Sequence, residues 1–206
     1  MSAERVVAFI DGQNLFHAAR RAYGISIPDF DVRALSEYVC GSKGWSLVQT
    51  RFYTGVPAMK DGPFWHTFWA ARLLLMSRRG VWTFTRKVRY RRKAVRLPDQ
   101  PDFGRMAGRR FTFSSGEEKG IDVRIALDMI RLCHDRAYDI ALLFSQDQDL
   151  SEAADEVRAL GHAQGRRVEV VSAFPSSPVY ANKRGIDRTD WIRIDPEAYS
   201  RCRRKA

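Results

Sequence analysis

Asp11, Asp147 and Asp149 each stand just past a short apolar run, and this placement is the chemistry-bearing pattern of the chain. Val6-Val7-Ala8-Phe9-Ile10 runs into Asp11-Gly12-Gln13-Asn14, and Ile140-Ala141-Leu142-Leu143-Phe144 runs into Ser145-Gln146-Asp147-Gln148-Asp149. Apolar runs of this length, bounded by polar residues, read as strands buried on both faces, the kind that build parallel sheets. In open α/β sheets ligands bind beyond the carboxyl ends of the strands. If the two strands are neighbours, the three carboxylates converge, and because they repel one another the arrangement makes sense mainly with a divalent cation among them. Hard divalent cations prefer carboxylate oxygens and keep several waters, which suits a phosphodiester bound through its oxygens. Such an ion can also activate the attacking water, so no histidine is required. His17, His66, His134 and His162 show no paired spacing with a Ser or Cys nucleophile and are each read as structural.

The elements that must position these carboxylates follow from periodicity. Asn14 to Tyr23 reads as a helix with Leu15, Ala18, Ala19 and Ala22 on one face, its N-terminus aimed at the Asp11 loop. Asp31 is the expected N-cap of a second helix carrying Val32, Leu35 and Val39. Strands are expected at Leu47 to Tyr53 and Val81 to Thr85, with an aromatic-rich helix from about Pro63 to Arg79 between them. That helix is apolar on more than one face, so it is either deep core or meets a partner chain, a second copy included. Core packing is the favoured reading. Ile121 to Cys133 carries two apolar stripes, Ile121/Ile125/Met129/Leu132 and Val123/Leu127/Ile130, and is expected to be largely buried. A helix from Ser151 to Leu160, ended by Gly161, and strands at Val168 to Val171 and Trp191 to Ile194 complete the chain. The alternation argues for a mostly parallel sheet with helices on both faces, in one domain spanning residues 1–206.

Asp122 and Asp128 share one helix but not one direction, since six residues turn the helix by about 240°. Asp122 lies in the first turn, where the helix dipole alone favours a carboxylate, or where it is a fourth member of the acidic cluster. Asp128 is expected to pair with Arg124 or Arg131.

Lys and Arg number 35 against 24 for Asp and Glu, a formal net charge of +11, and such an excess most often serves a polyanion. Its densest stretch holds Arg86, Lys87, Arg89, Arg91, Arg92, Lys93 and Arg96 without an acidic residue, interleaved with Val88, Tyr90, Val95 and Leu97. We read an inserted basic β-arm at about residues 85–117, turned at Pro98, Pro101 and Gly104 and returning through Arg109-Arg110-Phe111-Thr112-Phe113, with Lys119 just beyond. One-signed charge around an aromatic points to phosphate contact rather than to a merely solvated hairpin. The longest apolar neighbourhood is interrupted by Arg72, no stretch approaches the about 20 apolar residues of a membrane span, and residues 1–5 are too polar for a signal peptide. Cys40, Cys133 and Cys202 are widely spaced and suggest neither disulfides nor zinc, so a reducing cytoplasm fits. There is no Gly-x-x-x-x-Gly-Lys loop, and Asp11-Gly12-Gln13 lacks the Asp-x-Asp of aspartyl phosphatases, which argues against a phosphotransferase.

Phe9-Ile10-Asp11-Gly12-Gln13-Asn14, Lys119-Gly120-Ile121-Asp122 and Leu143-Phe144-Ser145-Gln146-Asp147-Gln148-Asp149-Leu150 resemble, in order and spacing, the NYN-domain proteins of the PIN-like nuclease superfamily, of the bacterial LabA-like type. The resemblance covers roughly Val6 to Val171 and is weakest between Thr85 and Ser115. It implies a PIN-like, Rossmann-like three-layer α/β sandwich and a metal-dependent ribonuclease using Mg2+ or Mn2+, with RNA expected ahead of DNA. A catalytically silent nucleic-acid-binding module is the alternative. Carried over position by position, Asp11, Asp122, Asp147 and Asp149 would be the metal-site carboxylates, with Asn14 and Ser145 as polar supports. Where relatives usually have Ser-Gly-Asp-x-Asp-Phe, this chain has Gln146 and Leu150, so the loop is expected to be less free to adopt positive φ.

Overall fold

In the computed structural model, which describes residues 3–96, 108–179 and 184–203, the two apolar runs are neighbouring parallel strands. β1 (Arg5–Asp11) pairs with β6 (Ile140–Phe144), Val6 opposite Ile140 and Ile10 opposite Phe144. Alternate side chains enter different cores. Val6, Ala8, Ile10, Leu142 and Phe144 face one layer of helices, while Val7, Phe9, Ala141 and Leu143 face the other. Burial on both faces is why these runs lack the polar alternation of a surface strand.

Around this pair lie β2 (Ser46–Val56), β3 (Trp82–Lys87), β7 (Glu169–Pro175) and β8 (Asp190–Ile194), in the order β3-β2-β1-β6-β7-β8 with every pairing parallel. α1 (Gly12–Tyr23), α2 (Val32–Lys43), α3 (Pro63–Arg78) and α6 (Pro196–Arg201) pack on one face; α4 (Ile121–His134) and α5 (Ser151–Ala163) pack on the other. This is the expected three-layer α/β sandwich. After β1 the chain crosses one face to β2, and after β6 it crosses the opposite face to β7. The crevice at the carboxyl ends of β1 and β6 is therefore the switch point where such sheets hold ligands.

Local signals account for the helix starts. The Asp11 side chain caps α1 by accepting from the Asn14 N–H at 3.0 Å, so the helix begins two residues earlier than its apolar face suggested. Asp31 caps α2 as expected, accepting from the N–H groups of Arg33 and Ala34 at 3.1 Å. Between β3 and α4 an antiparallel hairpin, β4 (Arg89–Arg96) and β5 (Arg110–Glu117), stands apart from the sheet. Leu97 and the turn positions Pro98, Pro101 and Gly104 lie outside the described residues.

Three expectations are corrected. The second apolar stripe of α4 is only partly covered: Ile130 packs against the core, but Val123 and Leu127 are 55% and 58% exposed, because they point away from the Ile121/Ile125/Met129 side. In α3 only Trp69, Arg72 and Met76 are buried, whereas Phe64 and Leu74 face outward; a helix on an outer layer has one covered side however apolar its sequence. Gly161 does not end α5, which continues to Ala163. It lies inside the helix where a Cβ would come within 2.6 Å of Val168 Cγ2, so its role is close packing rather than termination.

Asp128 is 1% exposed and anchors α4 to the sheet. Its Oδ1 pairs with Arg124 at 2.9 Å and Arg131 at 3.5 Å, the two expected partners. Its Oδ2 accepts from Arg51 Nη2 at 3.0 Å and from the Tyr53 hydroxyl at 2.9 Å, both on β2. Trp82 of β3 lies against this cluster, with the Arg51 guanidinium 3.7 Å from its ring centre.

Candidate active site

The carboxylates are delivered by three separate elements. Asp11 ends β1, Asp147 follows β6, and Asp122 sits in the first turn of α4, which Gly120 enters through a left-handed φ of 76° that an L side chain would resist. Together with Asn14, Gln13, His17, Glu118 and Lys119 they line one open cleft of about 490 Å3. The supporting bonds fix the loops rather than fill the cleft. Ser145 Oγ, buried, accepts from the Asp147 N–H at 3.1 Å, and Asn14 Oδ1 accepts from the Gln146 N–H at 3.0 Å, tying the two strand ends together. Gln146 and Gln148 donate to the carbonyls of Arg184 and Gly185 at 2.5 and 2.9 Å. This loop needs no positive φ: among the described residues only Arg136 and Arg188 adopt one without being glycine.

Glu118, which sequence reasoning missed, belongs to the same cleft. Its Oε2 accepts from the Gly55 N–H at 2.7 Å, and a Cβ on Gly55 would lie 2.5 Å from that oxygen, so the close approach requires glycine there. The one available signal was the acidic pair Glu117-Glu118 ahead of Gly120. Which of the two faces the cleft depends on the hairpin's register, and Glu117 instead pairs with Lys93 and Arg91 at 2.9 and 3.7 Å.

Electrostatics mark the cluster. Burial, reinforced by the charges of Asp147 and Asp122, raises the Asp11 carboxyl to about 6, although the N–H groups of Asn14 and Gln13 pull the other way. Burial raises Glu118 to about 7; the Gly55 N–H opposes this, while Asp11 and Asp122 add to it. Of the other carried-over positions, Asp149 is exposed and does not line the cleft; its N–H donates to Asp147 Oδ1 at 3.1 Å. His17, read as structural, stands at the cleft wall. Among the described residues no three His, Cys, Asp or Glu side chains are arranged to hold a metal ion. The donor set is nevertheless all oxygen, mutually repelling and partly buried, and such a set fits a hard divalent cation.

Two basic residues adjoin the cleft. Arg86 packs beside Gly120, within 3.6 Å of where a Cβ would be, and Lys119 lines the cleft. Lys87, Arg89, Arg91, Arg92, Lys93, Arg109 and Arg110 are exposed on or next to the hairpin.

The model of the NYN domain matches residues 5–189 of the chain. The protein belongs to the NYN-domain family. This NYN protein is also similar to a solved structure, a protein of unknown function from Vibrio parahaemolyticus, with a TM-score of 0.50 and 21% identity over 95% of each chain, a likeness of fold alone. No curated protein is significantly similar to it. The match begins at β1 and ends before β8, so the NYN domain includes the strand ends, α4 and the hairpin described above.

Proposed function

We propose that this NYN protein is a divalent-metal-dependent endoribonuclease, hydrolysing RNA phosphodiester bonds in the cleft at the carboxyl ends of β1 and β6. The observation that carries the reading is the convergence of Asp11, Asp122, Asp147 and Glu118, from four places in the chain, with Asp11 and Glu118 raised by burial and by their neighbours' charges. Asp11, Asp122 and Asp147 would hold magnesium or manganese, with Glu118 beside them, and Asp149 would join only by turning its side chain inward. When bound, the ion supplies a water of lowered pKa and neutralises charge on the phosphate. The chain's own groups do the rest. Ser145 shapes the Asp147 loop and Asn14 holds it to the start of α1, and Glu118, poised at about 7, can hold a proton at neutral pH. Arg86, Lys119 and the hairpin cations bind and orient the phosphate backbone. Free, buried Cys40, Cys133 and Cys202 support a reducing cytoplasm, and no helix among the described residues is long and apolar enough to cross a membrane.

A second reading, a nucleic-acid-binding module without catalysis, is favoured by the lack of a closed metal-ligand group among the described residues. Incubation with labelled single- and double-stranded RNA and DNA, with manganese, magnesium or EDTA, separates the two. Cleavage of RNA that needs metal and disappears in Asp147→Asn supports the nuclease. Cleavage indifferent to EDTA or to Asp147→Asn overturns it, and tight binding without cleavage in any metal establishes the module.

A further inference from the structure

Beside the carboxylate cleft lies a second cavity, of about 220 Å3, whose wall includes four aromatic side chains: Phe16 of α1, Trp65 and Trp69 of α3, and Tyr90 at the root of the hairpin. Gln13 and His17 line both cavities, so the two share part of their wall. Trp69 is buried against Phe52 and helps form the core, whereas Tyr90 is 38% exposed and closes the pocket from the arm side. Tyr90 packs against its cross-strand partner Gly116, where a Cβ would come within 3.0 Å of Val88 Cγ1 and 3.3 Å of the Tyr90 ring, so the absence of a side chain there leaves room for the tyrosine.

The hairpin continues this wall asymmetrically. Side chains alternate along a strand and directly paired residues share a face. Tyr90, Arg92 and Arg96 therefore project with Arg110 to one side, and Arg89, Arg91 and Lys93 with Glu117 to the other. On the second side Glu117 pairs with Lys93 and Arg91 and offsets one of their two charges. On the Tyr90 side none of Arg92, Arg96 and Arg110 has a carboxylate partner among the described residues. A rail of guanidinium groups without carboxylate partners among the described residues, Arg96 donating instead to the Gly108 carbonyl at 3.1 Å, thus leads to a pocket with aromatic side chains and two polar ones in its wall, next to a site suited to a phosphodiester.

We infer that the pocket between α1, α3 and Tyr90 is a base subsite, taking one unpaired nucleobase of the strand whose phosphate lies at the carboxylates. The inference rests on the nucleic-acid reading above. Flat π-faces hold bases with little regard to sequence, and a base reaches such a pocket only when it is not stacked within a duplex. Gln13 and His17 offer donors and acceptors to the base edge, and the guanidinium rail holds the flanking phosphates.

The test uses the full chain carrying Asp147→Asn, in magnesium, so that the strand stays intact. Single-stranded RNA oligonucleotides carrying one 2-aminopurine at successive positions are titrated, alongside the same set with one abasic position. One position should show strong fluorescence quenching, and removal of the base there should weaken binding by about tenfold, the lower part of the range for one stacked base. Tyr90→Leu should weaken the intact strand to a similar extent, abolish the selective quenching and add nothing to the abasic loss, while Tyr90→Phe keeps the ring and the affinity. Melting curves exclude misfolding, and the hairpin position of Tyr90 makes that unproblematic. Uniform quenching along the strand, or unchanged affinity in Tyr90→Leu with the strand still bound, overturns the base subsite and leaves the nuclease standing. No binding of any strand by the Tyr90 protein overturns both.

Discussion

Replacing Asp11 with asparagine should stabilise the metal-free protein, although it removes a central residue of the proposed site. The Asp11 carboxyl is 7% exposed and raised from its ordinary 3.8 to about 6. An acid whose pKa is higher in the folded state binds more protons when folded, so its contribution to stability falls as pH rises from 3.8 towards about 6 and stays low above that. At about 1.4 kcal/mol per pH unit the gap amounts to about 3 kcal/mol, an upper value because Glu118 and Asp147 relax when the neighbouring charge disappears. Asparagine can still accept from the Asn14 N–H and cap α1, so the local helix start survives. In EDTA at about pH 7.5, Asp11→Asn should therefore melt above wild type, by at most about 6–12 °C for a chain of this size. The gap should shrink towards zero at about pH 4, where the folded wild type is already protonated. Adding manganese at the higher pH should raise the wild type more than the variant and narrow the gap, while cleavage is absent in Asp11→Asn throughout. Thermal melts across this pH range decide the matter. A variant that melts at or below wild type at the higher pH, or a gap that persists unchanged at the lower one, would refute the charge-repulsion argument.

The two carboxylates of α4 should separate cleanly. Asp122→Asn should raise the manganese concentration needed for activity at least about tenfold, whereas Asp128→Asn should leave it unchanged and cost about 3–5 kcal/mol in denaturant unfolding by stranding buried Arg51. On the hairpin, changing Arg92, Arg96 and Arg110 to alanine should flatten the slope of log affinity against log salt by about 0.7 per lost contact. Changing Arg89, Arg91 and Lys93 should flatten it less, because Glu117 is already paired with two of them; equal flattening would refute this asymmetry, and slopes unchanged from wild type would make both faces mere solvated surface. Gly161→Ala should cost about 1–3 kcal/mol by forcing a methyl against Val168, and Val168→Ala in the same chain should recover part of that in melting experiments.

The strand ends were legible because burial on both faces leaves a simple mark, an apolar run that stops at a carboxylate. Asp11 and Asp147 could be placed together from β1 and β6 alone, and the turn of a helix separated Asp122 from Asp128 by arithmetic. Glu118 was not legible, since its direction is set by the hairpin's register and by the space at Gly55, a residue 63 positions away. Arg51 was hidden for a similar reason: a cation within a strand gives no sign of which helix will cover it. The exposed Val123 and Leu127 show the opposite failure. Apolar residues on two stripes demand burial only if a neighbour exists for each stripe, and the sheet and α5 cover only part of the circumference of α4.

The shared carboxylate of Asp128 also constrains how this protein can change over generations. Three guanidinium groups and a phenol answer to one side chain, so a lineage that loses Asp128 alone is left with a buried cation, and one that loses Arg51 alone with a buried anion. The passable route exchanges both together for apolar residues of matching volume, which buried ion pairs tolerate well. Positions 51 and 128 should thus be inherited as a couple across relatives. Descendants lacking the couple should carry hydrocarbon beneath Trp82, with packing rather than charge keeping α4, and hence Asp122, in its place over the sheet.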